Sequence, residues 1–165
     1  MTPPLAPPSI LIVEDDLMVL ATLKVTLEYE QFEVTTLSSP LKAIELVKSR
    51  DFSVIISDHK MPEMMGVDFL LECRRLRPAS SRILLTAVLN LSAVVDAIKR
   101  GDICRFIAKP WLRDELVAAV REAVQKHDLI LRNHALEAEI SRLRGQLRTV
   151  PAQAALSGDA VAQGV

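Results

Sequence analysis

The sequence predicts an α/β protein built on one parallel sheet, and three observations carry that prediction. Short apolar runs alternate five times with segments of helical period, the order expected when each strand returns through a helix to a parallel neighbour. The run Val54-Ile55-Ile56 is apolar without alternation, as a strand covered on both faces must be. Four of the five runs stop at a chemically active side chain, namely Glu14-Asp15, Asp58, Thr86 and Lys109. The carboxyl ends of strands are where open α/β sheets gather their chemistry.

Taken in order, residues 1–8 hold four prolines and read as a floppy or extended lead-in. Ile10-Leu11-Ile12-Val13 is a buried strand that stops at Glu14-Asp15-Asp16. Leu20, Leu23 and Leu27 space a helix over 17–30, and Phe32 to Thr36 alternates as a strand with one polar face. Ser39 is an N-cap with Pro40 at the first helical position, opening a helix that carries Ala43, Ile44 and Val47. The third strand spans 53–57. Gly66 permits a tight turn into a helix over 67–76, which Pro78 closes. A fourth strand over 82–86 ends in the Thr86 hydroxyl. The helix over 91–100 has Gly101 as C-cap and Lys99 and Arg100 in its last turn. The fifth strand, 103–108, ends at Lys109-Pro110.

The last helix is too long for this pattern. From Trp111 there is no proline until Pro151 and a single glycine, Gly145. About forty helical residues make a rod of roughly 60 Å. Leu116, Val117, Val120 and Val124 can cover the sheet, but beyond them one small domain offers no further surface. There Leu129, Asn133, Leu136, Ile140, Leu143, Leu147 and Val150 step by four and three, a heptad seam. Asn133 at an a position, with Arg132 set against Glu137 and Glu139 against Arg144 across a parallel pair, points to a homodimer through 129–150. About three heptads make such a coil marginal alone, and docking of the helix on its own domain is the competing reading. The expected organisation is a lead-in over 1–8, a domain over 9–127, a helical extension over 128–150 and a disordered tail over 151–165.

Composition removes several classes. A formal net charge of −1 gives no electrostatic footprint for nucleic acid or a membrane surface. No helix-turn-helix, zinc spacing or basic patch follows residue 128, so direct DNA binding is not expected. No stretch reaches the length of a membrane span. The start has neither a basic n-region nor an apolar h-region. Cys73 and Cys104 suit a reducing compartment better than a disulfide framework. The expected location is cytoplasmic.

The strand-end residues specify a chemistry when they converge on one rim. Clustered carboxylates repel and raise one another's pKa unless a cation joins them. Mg2+ suits such a site, since it takes one or two carboxylates, keeps waters and completes its shell with phosphate oxygens. The Lys109 ammonium and the Thr86 hydroxyl would hold the other oxygens of a phosphoryl group. Asp58 is then the remaining nucleophile. Singly, each residue has a plainer explanation. An acidic residue after a strand is more often a helix cap, which suits Asp16. A Lys-Pro pair is usually a loop, and Phe106 reads as core. Their coincidence is what favours a site. His59, next to Asp58, is expected to be an exposed loop residue, and His127 and His134 lie seven residues apart, too far for paired ligands on adjacent turns.

In these residues the chain resembles the receiver domain of two-component response regulators. The likeness runs over about 9–127 and rests on Ile-Leu-Ile-Val-Glu-Asp-Asp, Ser-Asp-His-Lys-Met-Pro with Gly66, Leu-Leu-Thr-Ala and Phe-Ile-Ala-Lys-Pro in order. The resemblance implies a five-stranded doubly wound sheet, flavodoxin-like, of order 2-1-3-4-5. It implies that Asp58 takes a phosphoryl group from a histidine kinase or phosphotransfer protein. Glu14, Asp15, Asp58 and the Lys60 backbone carbonyl would serve a Mg2+ site, with Thr86 and Lys109 sensing the phosphoryl group. Phe106 would be an aromatic switch and Lys109-Pro110 a cis peptide. The acidic run has three members, so Asp15 and Asp16 are an alternative to the preferred Glu14 and Asp15. Met65 stands where the family often has Asp, and Lys60 and Val88 occupy positions that tune dephosphorylation in the family.

On this reading the chain is a switch rather than an enzyme, and its output is a contact with another protein. Two alternatives stay open: a receiver belonging to a larger regulator with a cyclic-di-GMP phosphodiesterase or kinase output, suggested by 101–106 and Lys109-Pro110-Trp111, and a receiver-like scaffold that never sees phosphate. A phosphatase of the haloacid dehalogenase type would need its nucleophile on the first strand in a D-x-D arrangement, which is not found there.

Overall fold

The structure, a computed structural model, describes residues 6–87 and 91–149. Residues 1–5 of the expected lead-in, Val88, Val150 and the expected tail over 151–165 lie outside the described residues. The described chain divides at Asp128/Leu129 into two compact units.

The first unit is a parallel sheet of β1 (Ser9–Val13), β2 (Glu33–Leu37), β3 (Val54–Asp58), β4 (Ser81–Ala87) and β5 (Arg105–Lys109). The strand order is β2-β1-β3-β4-β5. Chain reversal between parallel neighbours requires crossovers. They are supplied by α1 (Leu17–Tyr29), α2 (Pro40–Ser49), α3 (Gly66–Leu76) and α4 (Leu91–Lys99), with α5 (Arg113–Thr149) following β5. The fold class and strand order are those expected.

Strand parity sorts the core into two layers. Ile10, Ile12, Val54, Ile56, Ile83, Leu85 and Ile107 face one side with Leu20, Leu23 and Leu27 of α1 and Leu116, Val120 and Val124 of α5. Leu11, Val13, Ile55 and Leu84 face the other, against Ala43, Val47, Phe69, Leu70 and Val94 of α2, α3 and α4. Cover on both faces explains why these strands carry unbroken apolar runs.

Element ends follow local chemistry. The Asp16 carboxylate caps α1, accepting from Met18 N at 2.9 Å and Val19 N at 3.3 Å. Ser39 caps α2 through Lys42 N at 3.3 Å, with Pro40 first in the helix. Gly101 takes φ 76° after α4, a conformation glycine adopts freely. Three strands begin later than the spacing suggests: β2 starts at Glu33 rather than Phe32, β3 at Val54 rather than Ser53, and β5 at Arg105 rather than Ile103, which is buried in the preceding loop.

Residues 129–149, the described part of the second unit, are helical throughout. Leu129, Leu136, Ile140, Leu143 and Leu147 are all exposed. No described helix is long and apolar enough to cross a membrane.

Candidate functional site

The register of the sheet brings the strand ends to one rim. Val13 pairs with Ser57, Asp58 with Leu85, Thr86 with Ala108 and Ala87 with Lys109. Glu14 and Asp58 are 1% and 7% exposed, Thr86 is buried, and Asp15 is open to solvent.

Lys109 ties the rim together. Its Nζ lies 2.7 Å from Asp58 Oδ1 and 2.9 Å from Glu14 Oε2. Burial alone would push the ammonium pKa down, but the hydrogen bonds to Asp58 and then to Glu14 outweigh it and hold Lys109 above its ordinary value. Burial is also the largest influence on Glu14 and pushes its carboxyl up. Lys109 and the backbone N–H of Asp16, which donates to Glu14 Oε1 at 3.1 Å, pull it back only in part. The charge on Asp58 pushes Glu14 the same way as burial.

Glu14, Asp15 and Asp58 each offer a carboxylate oxygen within 4.8 Å of the others. Hard oxygen donors, two of them buried and one facing water, fit Mg2+, which retains waters when bound. Asp16 is engaged as the α1 cap, which favours Glu14 and Asp15 over Asp15 and Asp16 as the acidic pair. The Lys60 side chain is exposed, two residues beyond Asp58. Thr86 Oγ1 donates to the Ala87 carbonyl at 3.1 Å. Phe106 pairs with Leu84, two positions before the Thr86–Ala108 pair and so on the same face. It is half-buried against the layer under α2, α3 and α4. The Lys109–Pro110 peptide is cis.

His59 departs from expectation. It is buried, 6% exposed, rather than an open loop residue. Alternation does set it opposite Asp58, but that side is closed by the start of α3. Gly66 N donates to the His59 carbonyl at 2.7 Å, and a Cβ on Gly66 would lie 2.9 Å from His59 Cα. His59 Nδ1 is buried without a partner.

Two further residues shape the site. Gly66 packs so close that a Cβ there would stand 2.0 Å from the Asp58 carbonyl oxygen, so only glycine fits. Ser57, wholly buried, donates its hydroxyl to that same carbonyl at 2.8 Å. The signal for Ser57 was a lone hydroxyl in an otherwise apolar strand, one position before the carboxylate.

A family model described as the response regulator receiver domain matches residues 10–121. The hydrogenase transcriptional regulatory protein HoxA of Cupriavidus necator is 33% identical over 132 residues, covering 80% of this chain and 27% of its own length. The chain likewise spans 28% of the dicarboxylate transport regulator DctD of Rhizobium meliloti, with 32% identity over 131 residues. Among solved structures, one described as adenylate cyclase from Rhodopirellula baltica matches with a TM-score of 0.77 at 34% identity, covering 80% of this chain and 98% of that one. The solution structure of the beryllofluoride-activated NtrC4 receiver domain dimer matches with a TM-score of 0.68 at 27% identity, covering 72% and 98%.

Proposed function

Since the chain belongs to the response regulator receiver domain family, we propose that Asp58 accepts a phosphoryl group from a histidine kinase or phosphotransfer protein, and that the chain passes the signal on as a dimer. One observation carries the reading: a half-buried ammonium bridges the candidate nucleophile to a second buried carboxylate, with a third carboxylate open to solvent beside them. A helix cap or a structural ion pair needs no such set.

The roles follow from the chemistry of each group. One Asp58 oxygen forms an O–P bond as the donor N–P bond breaks. The donor nitrogen leaves with the electron pair and takes up a proton. Bound Mg2+, held by Glu14, Asp15, Asp58 and the Lys60 carbonyl, would neutralise charge on the phosphoryl oxygens. Lys109 can trade its contact with the Asp58 carboxylate for one with a phosphoryl oxygen, keeping a charge-assisted bond throughout. The Thr86 hydroxyl, now given to a neighbouring carbonyl, can turn to another phosphoryl oxygen. Phe106, on the Thr86 face of β5, would register that movement.

The donor needs a landing surface beside the rim. α1 starts two residues after Asp15 and exposes Leu17 and Met18, then Val25 and Tyr29. Arg113 stacks 4.9 Å over the Tyr29 ring. An exposed apolar stripe that begins beside the site fits an interaction surface, and we place the donor there. The dimer rests on the exposed seam over 129–147. The NtrC4 receiver, a dimer in its activated form, is a relative in which receivers associate.

A second reading has its own support. The chain spans 27–33% of the length of curated relatives that are transcriptional regulatory proteins, so it also fits as the receiver portion of a longer regulator. The mass of the native protein on an immunoblot separates the two.

The test is intact mass after incubation with Mg2+ and a small phosphodonor. A single labile phosphoryl adduct in wild type, absent in Asp58→Asn, is expected. No adduct points to a phosphate-independent scaffold, and rapid multiple-turnover hydrolysis to a phosphatase.

A further inference from the structure

The backbone leaving β3 is clamped at consecutive positions. β1 pairs with β3 only as far as Val13–Ser57, so beyond that point β3 has one sheet neighbour, β4. His59 N donates to Leu85 O at 2.9 Å, which anchors the chain on that side. Gly66 N takes the His59 carbonyl at 2.7 Å, drawing the first turn of α3 onto the loop. The carbonyl of Asp58 itself sits between them. It is pressed by Gly66, where even a Cβ would overlap it, and it accepts the Ser57 hydroxyl at 2.8 Å.

We infer that Ser57 is a positioning residue for the metal-binding rim. Its hydroxyl fixes the Asp58 carbonyl, and thereby the angle at which the chain leaves toward the Lys60 carbonyl. The inference rests on the proposed Mg2+ and phosphoacceptor reading and extends it to a residue outside the donor set. The physical argument has two steps. A buried carbonyl keeps a hydrogen-bond partner, and at Asp58 that partner is a side chain of the strand itself. Holding that carbonyl holds the ψ angle of Asp58. That torsion is the first on the path from the Asp58 carboxylate, anchored in the sheet, to the Lys60 carbonyl, carried by the loop, and the His59 backbone that follows it is held by its bonds to Leu85 and Gly66. Without the hydroxyl the two donors lose their fixed relation, and the binding of a small cation that demands near-ideal geometry suffers most. Residues that orient ligands in this way change metal affinity by about 10- to 100-fold when removed.

The test is calorimetric titration of Mg2+ into the full chain as wild type, Ser57→Ala and Ser57→Thr, beside thermal melts without Mg2+. The alanine variant is expected to bind Mg2+ about tenfold more weakly, and the threonine variant, which keeps the hydroxyl, to recover most of that loss. The rate of adduct formation from a small phosphodonor should fall at low Mg2+ and approach wild type as Mg2+ is raised to saturation. Unchanged Mg2+ affinity in Ser57→Ala overturns the inference. So does a rate loss that saturating Mg2+ does not relieve, a folded threonine variant as weak as alanine, or an alanine variant that no longer folds, since each makes Ser57 an ordinary buried hydroxyl. Absence of Mg2+ binding by wild type would instead remove the functional reading, and this inference with it.

Discussion

Lys109 serves as the internal counter-ion of the rim, and its position would couple protonation to the proposed Mg2+ binding. Its Nζ is shared between Asp58 and Glu14 at 2.7 and 2.9 Å, the oxygens a divalent cation would need. With its pKa raised above 10.5, Lys109 contributes stability that is fully present below 10.5 and is lost as pH rises through the higher folded value. Glu14 has the opposite consequence at neutral pH. Its raised pKa means the folded state favours its proton, so its contribution is fully present below 4.5 and lost as pH climbs through the folded value. Above that pH Glu14 is a buried carboxylate that leans on Lys109. Protonated Glu14 cannot ligate, so the acid limb of Mg2+ binding should lie above the ordinary carboxylate range. Lys109→Met removes the nearest opposite charge, which typically moves a carboxylate by one unit or more. The variant's acid limb is therefore expected to shift upward by about one pH unit, read by Mg2+ titration across the acid range. A limb at the same pH in both proteins would show that Lys109 does not control Glu14.

At the scale of elements, α1 has a buried side and an exposed apolar side, the second being the proposed landing surface for the donor. Leu20, Leu23 and Leu27 are buried in the core, while Met18 and Tyr29 are 78% and 77% exposed. Replacing Met18 by Glu on the exposed side should leave the fold intact. It should slow phosphoryl transfer from a protein donor by about tenfold, the cost of one well-placed apolar contact, while transfer from a small phosphodonor is unaffected. Equal loss with both donors would mean the residue perturbs the site itself. The buried side of α1 was legible, since three leucines at helical spacing state it outright. The docking side was not, because exposed apolar residues leave no period of their own. The sheet was equally legible, since strands covered twice carry unbroken apolar runs. Strand ends were harder. His59 alternates away from Asp58 as expected, but alternation says which side a residue takes and not what covers it, and here α3 does. Arg82 was hidden in the same way. It reads as the polar start of β4, yet it is buried, with Nε 2.7 Å from the Asp102 carbonyl and Nη1 2.5 Å from the Ser80 carbonyl. A guanidinium can be buried when backbone oxygens take its donors; the Ser80 oxygen is two residues away, but the Asp102 oxygen comes from the loop after α4, far from Arg82 in sequence.

For the whole molecule, the question is what the second unit does with its exposed seam. Leu136, Ile140, Leu143 and Leu147 repeat by four, three and four, and all are exposed. Helices in proteins owe most of their stability to packing of an apolar face, and a seam so regular gains most from a copy of itself. Asn133 at an a position favours two strands in register, at some cost in stability. Glu139 already reaches Arg142 within the same helix at 2.6 Å, so its pairing with Arg144 of a second chain would have to compete with that local bond. Apolar burial must therefore supply most of the association. Burying one leucine contributes roughly 2 kcal/mol. Replacing both Leu136 and Leu143 by Glu removes four such side chains per dimer and sets like charges face to face. The loss of about 8 kcal/mol matches the whole free energy of a micromolar dimer. Wild type is thus expected to scatter light as a dimer at micromolar concentration, and the double variant as a monomer. The variant should still form the Asp58 adduct from a small phosphodonor, because its changes fall in the second unit. A monomeric wild type would leave the apolar seam to a different partner. A variant that stays dimeric would move the interface off the seam and onto the receiver.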